Sequence, residues 1–336
     1  MHRGHQPSRF ASMATTLDRV TGCLLGVATG DAIAKQTEML SHQDVSRWYP
    51  NGIHGFEGDV GTVIPRYVGN KKREWRVGET TDDTERTIAV ARAIITDGRV
   101  SHVSIGREML GCSKSVHPGV RSLWEFHAVA DMARTTTEHD GCGSAIRVSP
   151  VGVFYSSALL EDLVTGAREA SISTHGGSLA LAAAAATAAA VSTAIDGGDS
   201  QRVLASAVQA ATLSERRWPG TSPVSFATAV RTVHEHLVAL RALTPAAVAA
   251  SCFPNQPLTI VPLALSLATI MRSVQEGILL ASNIGGDSDS VASVAGAVLG
   301  AMYPETVNES WVQAVESVNR HGLRALVDEL TARRRG

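Results

Sequence analysis

The chain has 336 residues, of which 44% are hydrophobic, so it is long enough to bury the core of one large domain or two smaller ones. Its 30 basic and 32 acidic side chains give a formal net charge of -2, and this balance gives no support to a basic nucleic-acid-binding surface. The four cysteines show no CxxC pair or zinc-ligand spacing, which favours reduced thiols and a cytoplasmic location over a disulfide scaffold.

The ends of the globular part are predicted from composition. The first nineteen residues contain no apolar run that could form the core of a signal peptide. We expect residues 1–17 to be a disordered tail and residues 18–336 to form a single domain, because no long linker interrupts the chain.

The first predicted helix, from Asp18 to Ala34, has one face lined by small residues. It carries three glycines four residues apart, Gly22, Gly26 and Gly30. This spacing places them on one helix face, where a second helix can approach closely, and it matches no GxGxxG phosphate loop. Asp31 follows them and Glu38 lies seven residues later; both are read either as surface or capping carboxylates or as site residues.

An acid pair precedes the next long helix. Residues 40–78 contain glycine and proline too often for long elements, so we expect a long loop there. From Glu85 onward an apolar stripe predicts a helix, preceded by Thr81, Asp82, Asp83 and Thr84. Helix capping and the helix dipole are one explanation for these residues, and metal binding is the other.

A second acid pair occurs in the stretch SNIGGDSDS. Gly285 and Gly286 permit a tight turn, after which Asp287, Asp289 and Ser290 enter a helix of small apolar residues. Capping again explains one such pair, but the chain has two of them, 204 residues apart (287 minus 83). Their carboxylates and hydroxyls, if brought together, would form an oxygen-only site for one or two hard ions, Mg²⁺ or Mn²⁺ rather than zinc.

Two further stretches could contact a ligand. Residues 141–150 form a glycine-dense turn that is either a plain turn or an anion-binding nest for a diphosphate, with Arg147 pairing with that diphosphate or forming a salt bridge. His175 lies at a break between two helices predicted within residues 161–195, where it either lines a pocket or has a structural role.

The remaining pattern is helical. Helices are predicted at residues 201–238, 245–251, 258–274 and 311–334, and no convincing alternating strand is found. The uncharged stretch from Ser178 to Ile195 is mostly alanine, a strong helix former and a weak membrane anchor, so we expect a buried helix rather than a membrane span. The fold class is therefore all-α.

In their order and spacing these segments resemble the ADP-ribosylglycohydrolase family. The resemblance covers about residues 18–305 and rests on five segments, GCLLGVATGDA, TTDDT, GCGSAIRVSPVG, STH and SNIGGDSDS. It implies a compact multi-helix bundle with a centre of two divalent cations, Mg²⁺ or Mn²⁺. It also implies hydrolysis of the glycosidic bond between the distal ribose of ADP-ribose and an acceptor, either a protein side chain or a small molecule.

The resemblance also assigns residues. It implies metal ligation by Thr81, Asp82, Asp83, Asp287, Asp289 and Ser290. It implies catalytic roles for Asp83, Asp289 and Glu38, the last on a flap that is mobile in some members, and substrate contacts from Gly141, Gly143, Ser144 and His175.

The chain departs from the family pattern at three positions. Ser288 and Ser290 stand where the family usually has threonine, which keeps the hydroxyls, and Cys142 stands where it usually has asparagine, which removes a side-chain amide. Two alternatives to the hydrolase follow: a non-catalytic binding protein that kept the fold, and a metal-dependent hydrolase of a different small molecule.

Overall fold

The computed structural model describes residues 14–68, 71–114 and 135–336 of the chain. Residues 1–13, which belong to the predicted tail, and residues 115–134 lie outside the described residues.

Fifteen α-helices and one antiparallel hairpin lie in the described ranges. In chain order the elements are α1 (Thr16–Ala34), α2 (His42–Trp48), β1 (Val63–Val68), β2 (Lys71–Arg76), α3 (Asp82–Asp97), α4 (His102–Met109), α5 (Ser149–Phe154), α6 (Leu160–Glu169), α7 (Ser178–Ile195), α8 (Ser200–Arg217), α9 (Phe226–Val238), α10 (Pro245–Ser251), α11 (Pro257–Ile270), α12 (Val274–Ser282), α13 (Ser288–Met302), α14 (Glu309–Asn319) and α15 (Leu323–Thr331). Short 3-10 helices occur at Lys35–Thr37, Cys142–Ser144 and Pro304–Thr306. The prediction of an all-α fold is confirmed.

Two predicted stretches differ from the observed elements. Residues 40–78 contain α2 and the hairpin rather than irregular chain alone; in the hairpin Ile64 lies opposite Trp75. The strand sequences VIPRYV and KKREWR lack the alternation of apolar and polar residues that marks a strand, so no pattern indicated that they would pair. The helix predicted over residues 201–238 is interrupted between α8 and α9, where two prolines and a glycine occur.

The N-terminal helix begins earlier than predicted. The Thr15 hydroxyl accepts the Asp18 N–H at 3.2 Å and the Asp18 carboxylate accepts the Thr15 N–H at 2.8 Å, so these residues form a capping box. The predicted tail of residues 1–17 is therefore too long, because α1 starts at residue 16.

The alanine-rich helix α7 is at the centre of the fold. It packs against α5, α6, α8 and α13, and its side chains from Ala180 to Ile195 are all buried. In the part of the chain that the structure describes, it is the one helix long and apolar enough to cross a membrane. Since 89% of it is buried inside the protein, it has the position of a core helix, as predicted.

The glycine-lined face of α1 packs on α13. A Cβ atom on Gly26 would lie 2.1 Å from the carbonyl oxygen of Gly296, and a Cβ on Gly22 would lie 2.1 Å from that of Gly300. Gly30 meets Ala292 in the same way, so the two helices run antiparallel with their backbones in contact. The predicted close approach is confirmed, and it joins the C-terminal end of α1 to the N-terminal end of α13.

This contact makes a prediction for stability. In Gly26→Ala the added methyl group overlaps the Gly296 carbonyl, so we expect the free energy of unfolding to fall by about 2 kcal/mol, despite the gain of about 1 kcal/mol in helix propensity. Gly111→Ala is the control, because a Cβ atom there would have the Glu108 carbonyl oxygen as its nearest neighbour, at an ordinary 3.4 Å. Urea unfolding measures both variants, and a Gly26→Ala protein as stable as the wild type would contradict the close contact.

Candidate active site

Both acid pairs lie at helix N-termini, but capping does not account for them. Thr81 is the N-cap of α3, and its hydroxyl accepts the Asp83 N–H at 3.2 Å, so the two aspartates after it are not the cap. Asp287 occupies the N-cap position of α13, yet its side chain makes no capping hydrogen bond. The carboxylates of both pairs are therefore available for another role.

A further acid, Asp31, joins α1 to α3. It is fully buried, and its carboxylate accepts the N–H groups of Thr81 at 2.9 Å and Thr84 at 3.1 Å, together with the Thr84 hydroxyl at 2.5 Å. Burial raises the pKa of Asp31, while the hydrogen bonds from the two threonines oppose that rise. Asp31 is thus neither a surface acid nor a cap of its own helix, because it holds the N-terminus of α3 against the end of α1.

The turn ahead of α13 is fixed to the chain after α1. Gly286 accepts the Met39 N–H at 2.6 Å and donates its own N–H to Leu40 at 2.8 Å. Gly286 has a φ of +69°, and a Cβ there would lie 2.3 Å from the Pro254 carbonyl oxygen, so this position requires glycine. The Ser288 hydroxyl also donates to the Ala34 carbonyl at 3.0 Å. These bonds place Glu38 beside the second acid pair.

The two acid pairs and the glycine-dense turn share one cavity of about 420 Å³. Nine of the predicted site residues line it: Glu38, Asp82, Asp83, Gly141, Gly143, His175, Asp287, Asp289 and Ser290. Two larger surface cavities, of about 770 and 710 Å³, contain none of the predicted site residues. The smaller cavity is the candidate site, because it collects chemically matched groups from distant parts of the sequence.

Two predicted site residues are absent from that lining. The Thr81 hydroxyl caps α3, as described above, and the Ser144 hydroxyl donates to the Ala180 carbonyl at 3.0 Å. Ser144 therefore has its side chain turned into the fold, and only its main chain remains for a ligand.

Acid crowding raises the pKa values in the cavity. Burial, followed by the charges of Asp31 and Asp82, raises the pKa of Asp83 well above its ordinary value. Burial and the charges of Glu38 and Asp83 do the same for Asp289. The Asp83 Oδ2 atom is buried and has no hydrogen-bond partner among the described residues. An uncompensated acid of this kind is stabilised by a cation.

The residues fit a hard divalent ion by donor chemistry. Five carboxylates and the Ser290 hydroxyl line the cavity, and Asp83 Oδ2 is an oxygen whose hydrogen-bonding capacity is unused. Within residues 14–68, 71–114 and 135–336, no three acid, histidine or cysteine side chains already stand at metal-binding distances. The fit is therefore one of donor type and charge, not of completed coordination geometry.

Three cations that were not predicted from the sequence also line the cavity: Lys35, Arg86 and Lys114. Lys35 forms an ion pair with Glu38, and its Nζ lies 3.9 Å from Asp289 Oδ2. Arg86 is buried, with Nη1 3.4 Å from Asp82 Oδ2, while its Nε and Nη2 have no hydrogen-bond partner among the described residues. The four-residue spacing between Asp82 and Arg86 was a signal for the second pair; nothing local indicated that Lys35 would face Asp289.

The glycine-dense turn contacts His175. A Cβ on Gly143 would lie 2.7 Å from His175 Cε1, so only glycine lets the buried imidazole sit against this turn. The first hydrogen bond within the turn is donated by the Ala145 N–H to the Cys142 carbonyl at 2.8 Å, so the N–H groups ahead of Ala145 take no part in it. This arrangement supports the anion-nest interpretation of the segment.

Arg147 has neither of the roles considered from the sequence. It is fully buried and donates to the carbonyls of Gly143 at 2.8 Å and Ala170 at 3.0 Å, and to the Thr174 hydroxyl at 2.7 Å. Burial, and then the neighbouring Arg86 charge, lower the pKa of Arg147 to about 9. Its donors are occupied by main-chain carbonyls and the Thr174 hydroxyl, so it shapes the turn and does not pair with a diphosphate or an acid.

Cys142, the departure from the family pattern, contacts the second acid pair. Its thiol donates to Asp287 Oδ2 at 3.3 Å, and its Sγ lies 4.0 Å from the Ser290 hydroxyl. Burial and the charges of Asp287 and Asp83 raise the pKa of the thiol well above its ordinary value. Cys142 is thus a neutral hydrogen-bond donor in the cavity wall.

The comparisons with known proteins show the family of the chain. The ADP-ribosylglycohydrolase family profile matches residues 12–336, so the chain belongs to the ADP-ribosylglycohydrolase family, whose members hydrolyse glycosidic bonds to ADP-ribose. The fold resembles a solved ADP-ribosylglycohydrolase-related protein complex, with a TM-score of 0.68 and 24% identity over 94% of this chain and 98% of that one.

Two relatives illustrate the range of similarity. An uncharacterized protein of Archaeoglobus fulgidus is 26% identical, over 89% of this chain and 92% of its own. The ADP-ribosylarginine hydrolase Tri1 of Pseudomonas putida is 23% identical, over 90% of this chain and 77% of its own.

The role of Asp31 can be tested by stability. Asp31→Asn replaces an acceptor oxygen with an N–H₂ group facing main-chain N–H donors, so we expect the free energy of unfolding to fall by about 2 kcal/mol. The exposed capping acid gives the control, since Asp18→Asn should cost less than about 1 kcal/mol. Denaturant unfolding in EDTA compares the two, and equal losses would contradict the assignment of Asp31 as the joint between α1 and α3.

Proposed function

We propose that this protein is a metal-dependent hydrolase that cleaves the bond between ADP-ribose and a modified acceptor. The observation that carries the proposal is the single cavity in which the N-termini of α3 and α13 present four aspartates beside the glycine-dense turn and His175. Family membership supports the reaction class, and the donor chemistry of the cavity supports the need for a cation.

The two acid pairs would hold the ions. Asp82 and Asp83 on one side, and Asp287, Asp289 and Ser290 on the other, are the proposed ligands, with Thr81 contributing through its position at the start of α3. Two divalent cations, Mg²⁺ or Mn²⁺, would supply Lewis acidity that makes a water nucleophilic near neutral pH.

Side chains in the cavity would activate the water and assist the leaving group. Asp83 and Asp289 would orient the attacking water and accept its proton, since both line the cavity and are buried. Bond breaking at the anomeric carbon passes through an oxocarbenium-like state, which the surrounding carboxylates stabilise by their charge. Glu38, which lines the same cavity and forms an ion pair with Lys35, would assist departure of the leaving group.

The substrate's diphosphate would lie at the glycine-dense turn. Gly141, Gly143 and Ser144 would contribute main-chain N–H groups, because the Ser144 hydroxyl is already bonded to Ala180. His175 would contact the ligand from the cavity wall next to Gly143.

Removal of one acid from each pair tests the catalytic assignment. We expect Asp82→Ala and Asp289→Ala each to lower the rate of ADP-ribose release by about 100-fold or more, because each removes a carboxylate from the wall of the cavity in which the reaction is proposed. Asp328→Ala changes an exposed acid on α15 and should retain full activity. If both cavity variants kept wild-type rates in saturating Mg²⁺ and in saturating Mn²⁺, the assignment would be wrong.

Substrate binding at the glycine-dense turn makes a separate prediction. Gly143→Ala forces His175 away from the turn, so we expect ADP-ribose to bind about 10-fold more weakly, a loss of about 1.4 kcal/mol. Calorimetric titration with ADP-ribose measures the change, and Gly111→Ala serves again as the control outside the cavity. Unchanged affinity in Gly143→Ala would show that ADP-ribose does not use this turn.

The acceptor is tested directly with substrates. Release of free ADP-ribose should be measured from ADP-ribosylated arginine, serine and nucleobase substrates, with and without Mg²⁺ or Mn²⁺. Metal-dependent release from one of them establishes the hydrolase and names the acceptor.

Cys142 favours one alternative, a hydrolase of a different small molecule. Its thiol replaces a side-chain amide and bonds to Asp287, which changes the polar surface that a ligand meets. Failure to bind ADP-ribose in calorimetry would support this alternative. Binding of both metal and ADP-ribose without release from any substrate would instead indicate a non-catalytic binding protein.

A further inference from the structure

Lys35 is a cation built into the acidic side of the cavity. It is the first residue after α1, and its main-chain N–H donates to the Asp31 carbonyl, which fixes its backbone at the helix end. Its side chain is 27% exposed, forms an ion pair with Glu38 and places Nζ 3.9 Å from Asp289 Oδ2. The ammonium thus occupies the region next to a proposed metal ligand.

The negative charges of the two acid pairs are balanced by cations to different extents. On the α13 side, the Asp289 carboxylate faces the Lys35 ammonium. On the α3 side, Asp82 faces Arg86 at 3.4 Å, but Asp83 Oδ2 has no hydrogen-bond partner among the described residues. A divalent ion approaching Asp83 therefore meets unbalanced negative charge, whereas one approaching Asp289 meets a positive group already within ion-pair range.

Lys35 is retained near this position by two constraints. The segment after Glu38 is bonded to the turn before α13 through the Met39 N–H and the Gly286 carbonyl, so Glu38 cannot move far from Asp289 without breaking main-chain bonds. Glu38 in turn holds the ammonium by the ion pair. A divalent ion binding at Asp289 must either displace Lys35 or bind against its charge, and both lower the affinity for the ion.

We propose that Lys35 acts as an internal competitor for the divalent cation at Asp289, so that the α13 side of the cavity binds its ion more weakly than the α3 side. This inference rests on the proposed metal-dependent function and adds an order of filling to it. The α3 side holds an ion first, and the α13 side fills only when the free ion concentration is high enough to displace the ammonium. The effect of Lys35 is therefore on the affinity of the site for the metal ion.

Calorimetric titration of the metal-stripped full-length chain with Mn²⁺ tests the proposal. Wild type should show a tight and a weak class of sites, or the tight class alone, and Asp289→Ala should remove the weak class. Lys35→Met removes the charge but keeps the length of the side chain. In this variant the weak class of sites should bind Mn²⁺ more tightly by on the order of 10- to 100-fold, or become detectable if the wild type shows the tight class alone. Lys35→Gln is a second neutral variant, used if Lys35→Met does not fold in EDTA.

Two variants control for charge and for position. Lys35→Arg keeps the positive charge and should retain the weak class as in the wild type. Lys114→Met removes another lysine from the wall of the same cavity, one that pairs with Glu79 and the Thr80 carbonyl, and should leave both classes unchanged.

The possible results distinguish the role of Lys35 from the proposed metal-dependent function. If Mn²⁺ binds to the wild type and the neutral Lys35 variants bind it with the same or lower affinity, the role of Lys35 is overturned while the metal site stands. Tightening that occurs equally in Lys114→Met also overturns it, because the effect would then be one of net charge. If neither the wild type nor any variant binds Mn²⁺, the proposed metal-dependent function is wrong, and the role of Lys35 is wrong with it.

Discussion

The backbone contact between α1 and α13 is the constraint on which the rest of the site depends. Gly26 and Gly296 meet with no room for a Cβ atom on either side, and this fixes the two helices in antiparallel register. The end of α1 therefore reaches the start of α13, where Asp287 and Asp289 lie. Asp31 then extends the same joint to α3 through its bonds to the Thr81 and Thr84 N–H groups. Acids more than two hundred residues apart share one cavity because of these two contacts.

Bringing these acids together has an electrostatic cost that the chain offsets only in part. Asp83 and Asp289 are buried among other carboxylates, and this raises the pKa of both. Lys35 pairs with Glu38 and faces Asp289, and Arg86 faces Asp82, but Asp83 Oδ2 keeps no hydrogen-bond partner among the described residues. A site of this kind lowers the stability of the fold and raises its affinity for cations, as is common at functional sites. The glycine-dense turn and His175 line the same cavity, so cation binding and the contacts proposed for the substrate's diphosphate are neighbours.

Much of this arrangement was predictable where the signal is local. The four-residue glycine spacing predicted the close helix contact, and the two hydroxyl-flanked acid pairs predicted that their residues would meet. The roles of Asp31, Arg147 and Lys35 were not predictable in the same way, because their partners lie elsewhere in the sequence: Asp31 bonds to α3, Arg147 to carbonyls around Ala170, and Lys35 faces Asp289. The hairpin was missed because its strands show no alternating pattern. The cytoplasmic location stays a prediction from the sequence.

The central claim is that the N-termini of α3 and α13 form one cation site. The most direct measurement is anomalous diffraction from crystals soaked in Mn²⁺, collected at the manganese absorption edge. We expect anomalous peaks in the 420 Å³ cavity, between Asp83 on one side and Asp287 and Asp289 on the other. A protein that releases ADP-ribose in a Mn²⁺-dependent reaction, but whose only anomalous peaks lie away from these aspartates, would contradict it.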